Sequence, residues 1–355
     1  MKIMIRGTNW IGDAVMSIPA LRQIHRVFHD ARLTLYTRPW AEGIFRDADF
    51  VDEILTFDKK KRSVQALQDE VELIRAEQFD LAILLTNSFE SALVTKLAGI
   101  PRRIGFNKDL RGLLLTDPIA VPEWKGRTHE VYYYLALAAE AERRILGRTT
   151  PAGEPDVRLD ISSSRRAEAI DFLAANGADL SKPTVALGVG SKNSRAKRWP
   201  AERYSALADR LSETTGANVI LVGAPDEIEV AALVKANTHS AAIDISGKTD
   251  LALAAAVLAV VDLFISNDMG LAHVAAAAGT ETLVIFGPTN NVTTRPFAAN
   301  ASVIRHPVEC SPCMLRDCPI DHRCMTRIGV DAVFEAAVRS LSRQTIEDNE
   351  EGSIY

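Results

Sequence analysis

Leu263-Phe-Ile-Ser-Asn-Asp-Met-Gly-Leu-Ala-His273, followed by Ile285-Phe-Gly-Pro-Thr289, is the stretch whose reading decides the fold. The apolar run from Val257 to Ile265 stops at Ser266-Asn267-Asp268, and a run of small residues follows at once, from Gly270 to Ala278. An apolar strand that ends on polar residues and passes directly into a helix is the βα unit of a parallel sheet. It predicts Asp268, Gly270 and His273 at the carboxyl edge of a strand and in the first turn of a helix, where open α/β sheets bind ligands. Free backbone N–H groups and the positive end of the helix dipole suit a phosphate there. The pattern points to a nucleotide or sugar-nucleotide site.

Outward from this unit the chain alternates. Toward the carboxyl half, strands are predicted over 184–188, 218–223, 242–245 and 262–266, with helices over 201–214, 226–236, 251–260 and 270–278. The amino-terminal half gives strands over 2–6, 33–36 and 81–85 and helices over 14–28, 65–77 and 91–98. Strands alternating with helices imply parallel sheets covered on both faces. The texture changes between Gly147 and Pro183, where a Pro/Gly-rich loop precedes a helix over 162–176. A last helix, 329–341, precedes a polar tail, 348–353, expected to be disordered. The expectation is α/β architecture with two Rossmann-like domains facing a central cleft. They cover 1–160 and 161–345, with the last helix packing back on the first domain and a flexible tail over 346–355.

A chain of 355 residues exceeds the usual single-core size, in keeping with two domains. Hydrophobic residues make up 47% and charged residues 25%, as in ordinary globular proteins. A formal net charge of −5 argues against a general nucleic-acid binder. No apolar run approaches the roughly 20 residues of a membrane span, and the first residues lack a signal-peptide pattern, so a cytoplasmic address is expected.

Three further motifs bear on chemistry. In Gly7-Thr-Asn-Trp-Ile-Gly-Asp13, joining the first strand to the first helix, Asp13 is expected at the helix start. A carboxylate there serves either as an N-cap or as a general base already ionised at neutral pH. The loop carries neither the Gly-Lys-Ser/Thr of a P-loop nor the Gly-x-Gly-x-x-Gly of a dinucleotide-binding turn, which disfavours an NAD-dependent dehydrogenase. Gly188-Val-Gly-Ser-Lys-Asn-Ser-Arg-Ala-Lys-Arg-Trp-Pro200 combines glycine, serine and four basic residues after a strand, and reads as a diphosphate loop with Lys197 as its point charge or as a solvated basic loop. In Gly223-Ala-Pro-Asp-Glu227 the carboxylates suit ribose hydroxyls, or are first-turn acids favoured by the helix dipole.

Taken together, Gly12-Asp13, Lys197-Arg-Trp-Pro200, Gly223-Ala-Pro225, Asn267-Asp268-x-Gly270-Leu271-x-His273 and Gly287-Pro-Thr289 resemble the lipopolysaccharide heptosyltransferases, glycosyltransferase family 9, over nearly the whole chain. Thr86-Asn-Ser-Phe-Glu-Ser-Ala-Leu93, Ala98-Gly-Ile-Pro101 and Ala196-Lys-Arg-Trp-Pro200 look more like the heptosyltransferase II branch than the heptosyltransferase I branch. The resemblance implies the two-domain GT-B fold and inverting transfer of L-glycero-D-manno-heptose from ADP-heptose to the first heptose of the Kdo–lipid A core. Asp13 would be the general base. Lys197, Glu227, Asp268, Gly270, His273 and Thr249 would hold the donor, with no metal needed for catalysis. The motif departs from the family at Met269, where a small polar residue is more usual; its thioether would pack against adenine or the cleft wall. Transfer to Kdo itself, and a GT-B sugar-nucleotide epimerase or hydrolase, are the competing readings.

An anionic acceptor calls for a basic face on the first domain. Residues 99–128 carry six basic residues against three acids, and Lys59-Lys-Lys-Arg62 adds a cluster. Arg62, Arg102, Arg103, Lys108 and Asn87 are the expected acceptor contacts, with attraction to the inner membrane surface as a second role and a solvated face as the alternative. All four cysteines fall in Cys310-x2-Cys313-x4-Cys318-x5-Cys324, near His306 and His322. Such a cluster in a reducing compartment is either a structural zinc site or a set of reduced thiols.

Overall fold

The computed structural model describes residues 1–58, 63–192 and 194–351, of which 343–351 by backbone alone. It divides into two compact units, Met1–Arg158 and Leu159–Tyr355. The first holds strands β1 (Lys2–Arg6), β2 (Arg32–Thr37), β3 (Glu53–Thr56), β4 (Leu81–Leu84), β5 (Arg102–Phe106) and β6 (Asp117–Ile119) in the order β3-β2-β1-β4-β5-β6. The second holds β7 (Thr184–Gly188), β8 (Asn218–Val222), β9 (Ile243–Asp244), β10 (Leu263–Asn267), β11 (Glu281–Phe286) and β12 (Ala301–Arg305) in the order β12-β11-β10-β7-β8-β9. Every pairing in both sheets is parallel.

Continuous apolar runs become central strands because helices cover both faces. All five residues of β10 and of β7 are buried. One core cluster of the second unit joins Val185, Leu187, Leu263 and Ile265 to Tyr204, Leu207 and Leu211 of helix Ala201–Thr215. Both sheets reverse their winding at the middle. The switch points lie between β1 and β4 and between β7 and β10, where chain connections leave a crevice at the carboxyl ends of the strands.

Three differences from the sequence reading have local causes. The helix expected over 14–28 is two, Ile11–Met16 and Ile18–Val27, because Pro19 has no N–H to bond back across the turn. The pattern gives no strand at β5 because that strand opens with Arg102-Arg103 instead of apolar residues. The last helix runs over Val330–Glu351, past the expected start of the tail, since no glycine or proline interrupts it before Gly352. It contacts helix Ala201–Thr215 and strands β10 and β11, burying Val333 and Ala337 in the core of the second unit. Residues 352–355 lie outside the described residues. Among the described residues no helix is long and apolar enough to cross a membrane.

Candidate active site

At the switch point of the second unit, β10 ends in a closed polar knot. Asn267 is fully buried; its Oδ1 accepts from the Trp199 backbone N–H at 2.8 Å and the Tyr204 hydroxyl at 3.0 Å. Its Nδ2 donates to the carbonyls of Val189 and Gly190, each at 3.0 Å. One side chain thus locks the loop after β7 to the end of β10. Removing it orphans two buried carbonyls, at about 1–3 kcal/mol each.

Asp268, 6% exposed, is the next residue. Its Oδ2 accepts from the Thr289 hydroxyl at 2.7 Å and pairs with Lys197 Nζ at 2.8 Å, while the same ammonium reaches the Asp268 carbonyl at 3.4 Å. A lysine carries three N–H donors, so these contacts fix the ammonium at the strand end without exhausting it. Thr289, from the second half of the deciding stretch, was not among the expected donor contacts; its spacing after Gly287-Pro288 is the signal that marks it. Gly270 opens helix Gly270–Ala277, and no side chain caps that helix. Its first N–H groups therefore stand beside the Lys197–Asp268 pair with the dipole's positive end, an arrangement suited to a phosphate. His273 is buried one turn into the same helix.

The glycines of the neighbouring loops are there for space. A Cβ at Gly190 would stand 2.1 Å from the Glu227 carboxyl carbon, and one at Gly188 would meet Met269 Sδ at 2.9 Å. Met269 therefore lies over the end of β7, packed against the protein's own backbone. Glu227 is 3% exposed, and its Oε2 accepts from the Ala224 N–H at 3.0 Å. Burial pushes its carboxyl above the usual glutamate range, against the pull of that hydrogen bond. Asp226 is more open and pairs with Lys192 at 3.2 Å. Thr249 is half-buried on the loop after β9.

The cysteine segment straps the two loops that carry Lys197 and Thr289. The Ser311 hydroxyl donates to the Gly287 carbonyl at 2.6 Å, and the Cys313 and Met314 N–H groups donate to the Pro288 carbonyl. On the other side Ala196 N–H donates to the Arg316 carbonyl, the Ser194 hydroxyl to the carbonyls of Leu315 and Arg316, and His322 Nε2 meets the Ala196 carbonyl at 2.6 Å. Cys310, Cys313, Cys318 and Cys324 are free thiols. Burial, with the other three thiols nearby, pushes the Cys324 thiol up to about 11, so it stays protonated at neutral pH. Among the described residues no group of three or more His, Cys, Asp or Glu side chains is arranged to hold a metal ion.

In the first unit, Asp13 is the third residue of helix Ile11–Met16. The N-cap position belongs to Trp10, and no side chain caps this helix, so the capping role considered for Asp13 is not taken up. Its Oδ1 accepts from the Tyr134 hydroxyl at 3.2 Å. Tyr134 lies in the second turn of helix Glu130–Leu146, and burial, then the Asp13 charge, raises its phenol well above the ordinary tyrosine range. It therefore remains a donor at every working pH. Asn87, after β4, accepts from Arg111 Nη2 at 3.1 Å and donates to the Tyr133 hydroxyl at 3.1 Å. Arg111 is fully buried and also donates to the carbonyls of Phe106 and Thr86. Burial lowers its guanidinium to about 10, still a cation.

The other expected acceptor residues divide. Arg102 donates to Asp117 at 2.9 Å and to the Arg144 carbonyl, and Arg103 donates to the Leu114 and Ile100 carbonyls, so both brace the loop between β5 and β6. Lys108 is exposed on that loop. Arg62, with Lys59 to Lys61, lies outside the described residues. Tyr134 and Arg111 were not singled out for the site. Three consecutive tyrosines in the first turns of an amphipathic helix hint at the former, but nothing local marks which arginine of a basic segment folds inward.

The fold is similar to that of the Escherichia coli ADP-heptose LPS heptosyltransferase II, with a TM-score of 0.82 and 25% identity over 97% of this chain and 100% of that one. That likeness, with two parallel doubly wound sheets and a phosphate-type site at a switch point, defines the class: a GT-B glycosyltransferase. Residues 71–323 match the model of glycosyltransferase family 9 (heptosyltransferase), and the chain belongs to that family. It is 28% identical to the lipopolysaccharide heptosyltransferase 2 of Escherichia coli K12 over 86% of this chain and 88% of that protein. It is also 28% identical to the lipooligosaccharide heptosyltransferase 2 of Campylobacter jejuni serotype O:2, over 96% and 98%.

Proposed function

We propose that the chain moves L-glycero-D-manno-heptose from ADP-heptose to the first heptose of the Kdo–lipid A inner core, with inversion at the anomeric carbon. The observation that carries this reading is the Lys197–Asp268–Thr289 cluster beside the uncapped start of helix Gly270–Ala277. The names of the relatives, both lipopolysaccharide or lipooligosaccharide heptosyltransferases, support the choice of substrates.

In this reading the acceptor oxygen attacks the anomeric carbon as the bond to the ADP oxygen breaks. The acceptor proton passes to Asp13, and the electron pair leaves with ADP. Lys197 and the first-turn N–H groups at Gly270 stabilise the charge that develops on the departing diphosphate. Asp268 holds Lys197 in place from behind. Glu227 accepts from ribose hydroxyls, and His273 and Thr249 complete the donor contacts. Tyr134 orients Asp13 through a hydrogen bond to its Oδ1. Asn87 and Lys108 meet the acceptor, with Arg102 and Arg103 acting through the loop they brace. The reaction runs at the cytoplasmic face of the inner membrane, where a lipid-linked acceptor is presented.

The test is calorimetric titration of ADP-, UDP- and GDP-sugars, followed by transfer assays with a heptose-free core and a one-heptose core. Selective binding of ADP-heptose and growth of the one-heptose core are expected. New sugar isomers from donor alone would mean an epimerase instead.

A further inference from the structure

Lys197 sits between two anchored points of its loop. On one side Asn267 accepts from the Trp199 N–H at 2.8 Å. On the other, the segment after β12 takes hold of Ser194 and Ala196, both buried. The Ser194 hydroxyl donates to the Leu315 and Arg316 carbonyls, and the Ala196 N–H donates to the Arg316 carbonyl at 2.9 Å. One further contact comes from a side chain. His322 Nε2 lies 2.6 Å from the Ala196 carbonyl, across 126 residues. A carbonyl can only accept, so this nitrogen carries its proton and donates.

The backbone of His322 is committed to the same end. Its φ of 56° lies in the left-handed region, which a side-chain-bearing residue occupies only where its surroundings impose it. Its carbonyl accepts from the Met325 and Thr326 N–H groups at 2.9 and 3.0 Å, opening the short helix Arg323–Thr326. That helix is pinned at the end of β11: Met325 is fully buried, and a Cβ on Gly287 would stand 2.3 Å from its Sδ. The His322 ring is thus carried on a support at the β11 edge and reaches over to the loop after β7. Thr289 leaves the same β11 edge to meet Asp268 at 2.7 Å, and Lys197 meets Asp268 from the other loop at 2.8 Å. The two loops are joined twice, once through Asp268 and once through His322.

The oxygen that His322 holds belongs to the peptide joining Ala196 to Lys197. Fixing that oxygen fixes the peptide plane from which the lysine departs. A lysine side chain is long and flexible, so the direction in which its backbone launches it decides where the ammonium spends its time. We propose that His322 is a positioning residue for Lys197, holding the ammonium beside Asp268 and the start of helix Gly270–Ala277 by way of the Ala196 carbonyl. The inference rests on the reading of Lys197 as a diphosphate contact.

Two variants of the full chain separate the side chain from the backbone. His322→Asn suits the left-handed conformation but is too short to reach Ala196, whereas His322→Gln sets an amide N–H near the place of Nε2. In calorimetric titration with ADP, His322→Asn should bind about tenfold more weakly than wild type and His322→Gln within about threefold of it. In a Lys197→Met background, His322→Asn should cost nothing further, because the residue acts through the lysine. A ligand-free measurement accompanies these. Trace acetylation of the folded protein, read by mass at each lysine, should label Lys197 several-fold faster in His322→Asn than in wild type. Equal labelling of Lys197 in the two proteins overturns the proposal. So does a loss of ADP affinity that persists undiminished without Lys197, or one as large in His322→Gln as in His322→Asn. A wild type that binds no ADP, with Lys197 labelling still governed by His322, would count against the donor reading alone and leave the positioning role standing.

Discussion

The two sheet edges that carry the candidate chemistry are switch points of the same topology, yet they are built differently. In the second unit, Asn267 locks the loop after β7 to the end of β10, and beside it Asp268, Lys197 and Thr289 satisfy one another in a compact, mostly buried cluster. In the first unit, Asp13 is half-buried and accepts from Tyr134 at 3.2 Å, and the surrounding connections expose Trp10, Phe89, Leu110 and Leu113. On the proposed function, the contrast matches two tasks. A small, rigid, doubly charged donor rewards a site pre-organised by hydrogen bonds. A large lipid-linked acceptor needs a reactive carboxylate set in an open, partly apolar surface.

The comparison can be broken at several points. The largest effect is expected at Asp13: Asp13→Asn should lower kcat about a thousandfold, in the range of general-base catalysis, with calorimetric ADP affinity unchanged. Loss of ADP binding in that variant would mean the two edges do not divide the work. Next comes Lys197→Met, which leaves the Asp268 carboxylate without its cation. Donor affinity should fall by about 2 kcal/mol, roughly thirtyfold, read by calorimetry with ADP-heptose. Tyr134→Phe removes one hydrogen bond and should cost about tenfold in kcat with little change in donor KM. An equal rise in donor KM would show that Tyr134 serves the fold rather than Asp13.

Glu227 offers a pH test. Its carboxyl lies above the ordinary glutamate range because burial disfavours the charged form. As pH falls through that raised value, the carboxylate is neutralised and loses its capacity to accept ribose hydroxyls, so donor KM should rise on acidification earlier than an ordinary glutamate would allow. The sign for stability is opposite. A raised pKa in the folded state adds stability below the unfolded value and forfeits it as pH rises through the folded one. Glu227→Gln should therefore flatten the KM profile and raise the melting temperature of the donor-free protein slightly at neutral pH. The smallest effect is expected at Cys310→Ser. An exposed free thiol outside the hydrogen-bonded strap contacts should change stability by no more than about 0.5 kcal/mol.

The second-unit edge is legible because it is contiguous. Strand, turn and helix follow one another from Leu263 to Ala278, and hydrophobic pattern plus turn chemistry suffice to place them. The partners of Asn267 were not, since Trp199 and Tyr204 lie more than sixty residues away. The first-unit edge was legible only as Asp13 after a glycine-rich turn. Tyr134 reaches it across 121 residues, and Arg111 turns inward from a segment that reads as a solvated basic face. Pairwise placement of this kind follows from sheet order, which no local pattern encodes.

The central claim is met most directly by mass analysis of a one-heptose inner-core acceptor incubated with ADP-heptose and the purified chain. The account predicts a gain of one heptosyl residue with release of ADP, abolished in Asp13→Asn. An acceptor of unchanged mass while the donor is hydrolysed or isomerised would contradict it.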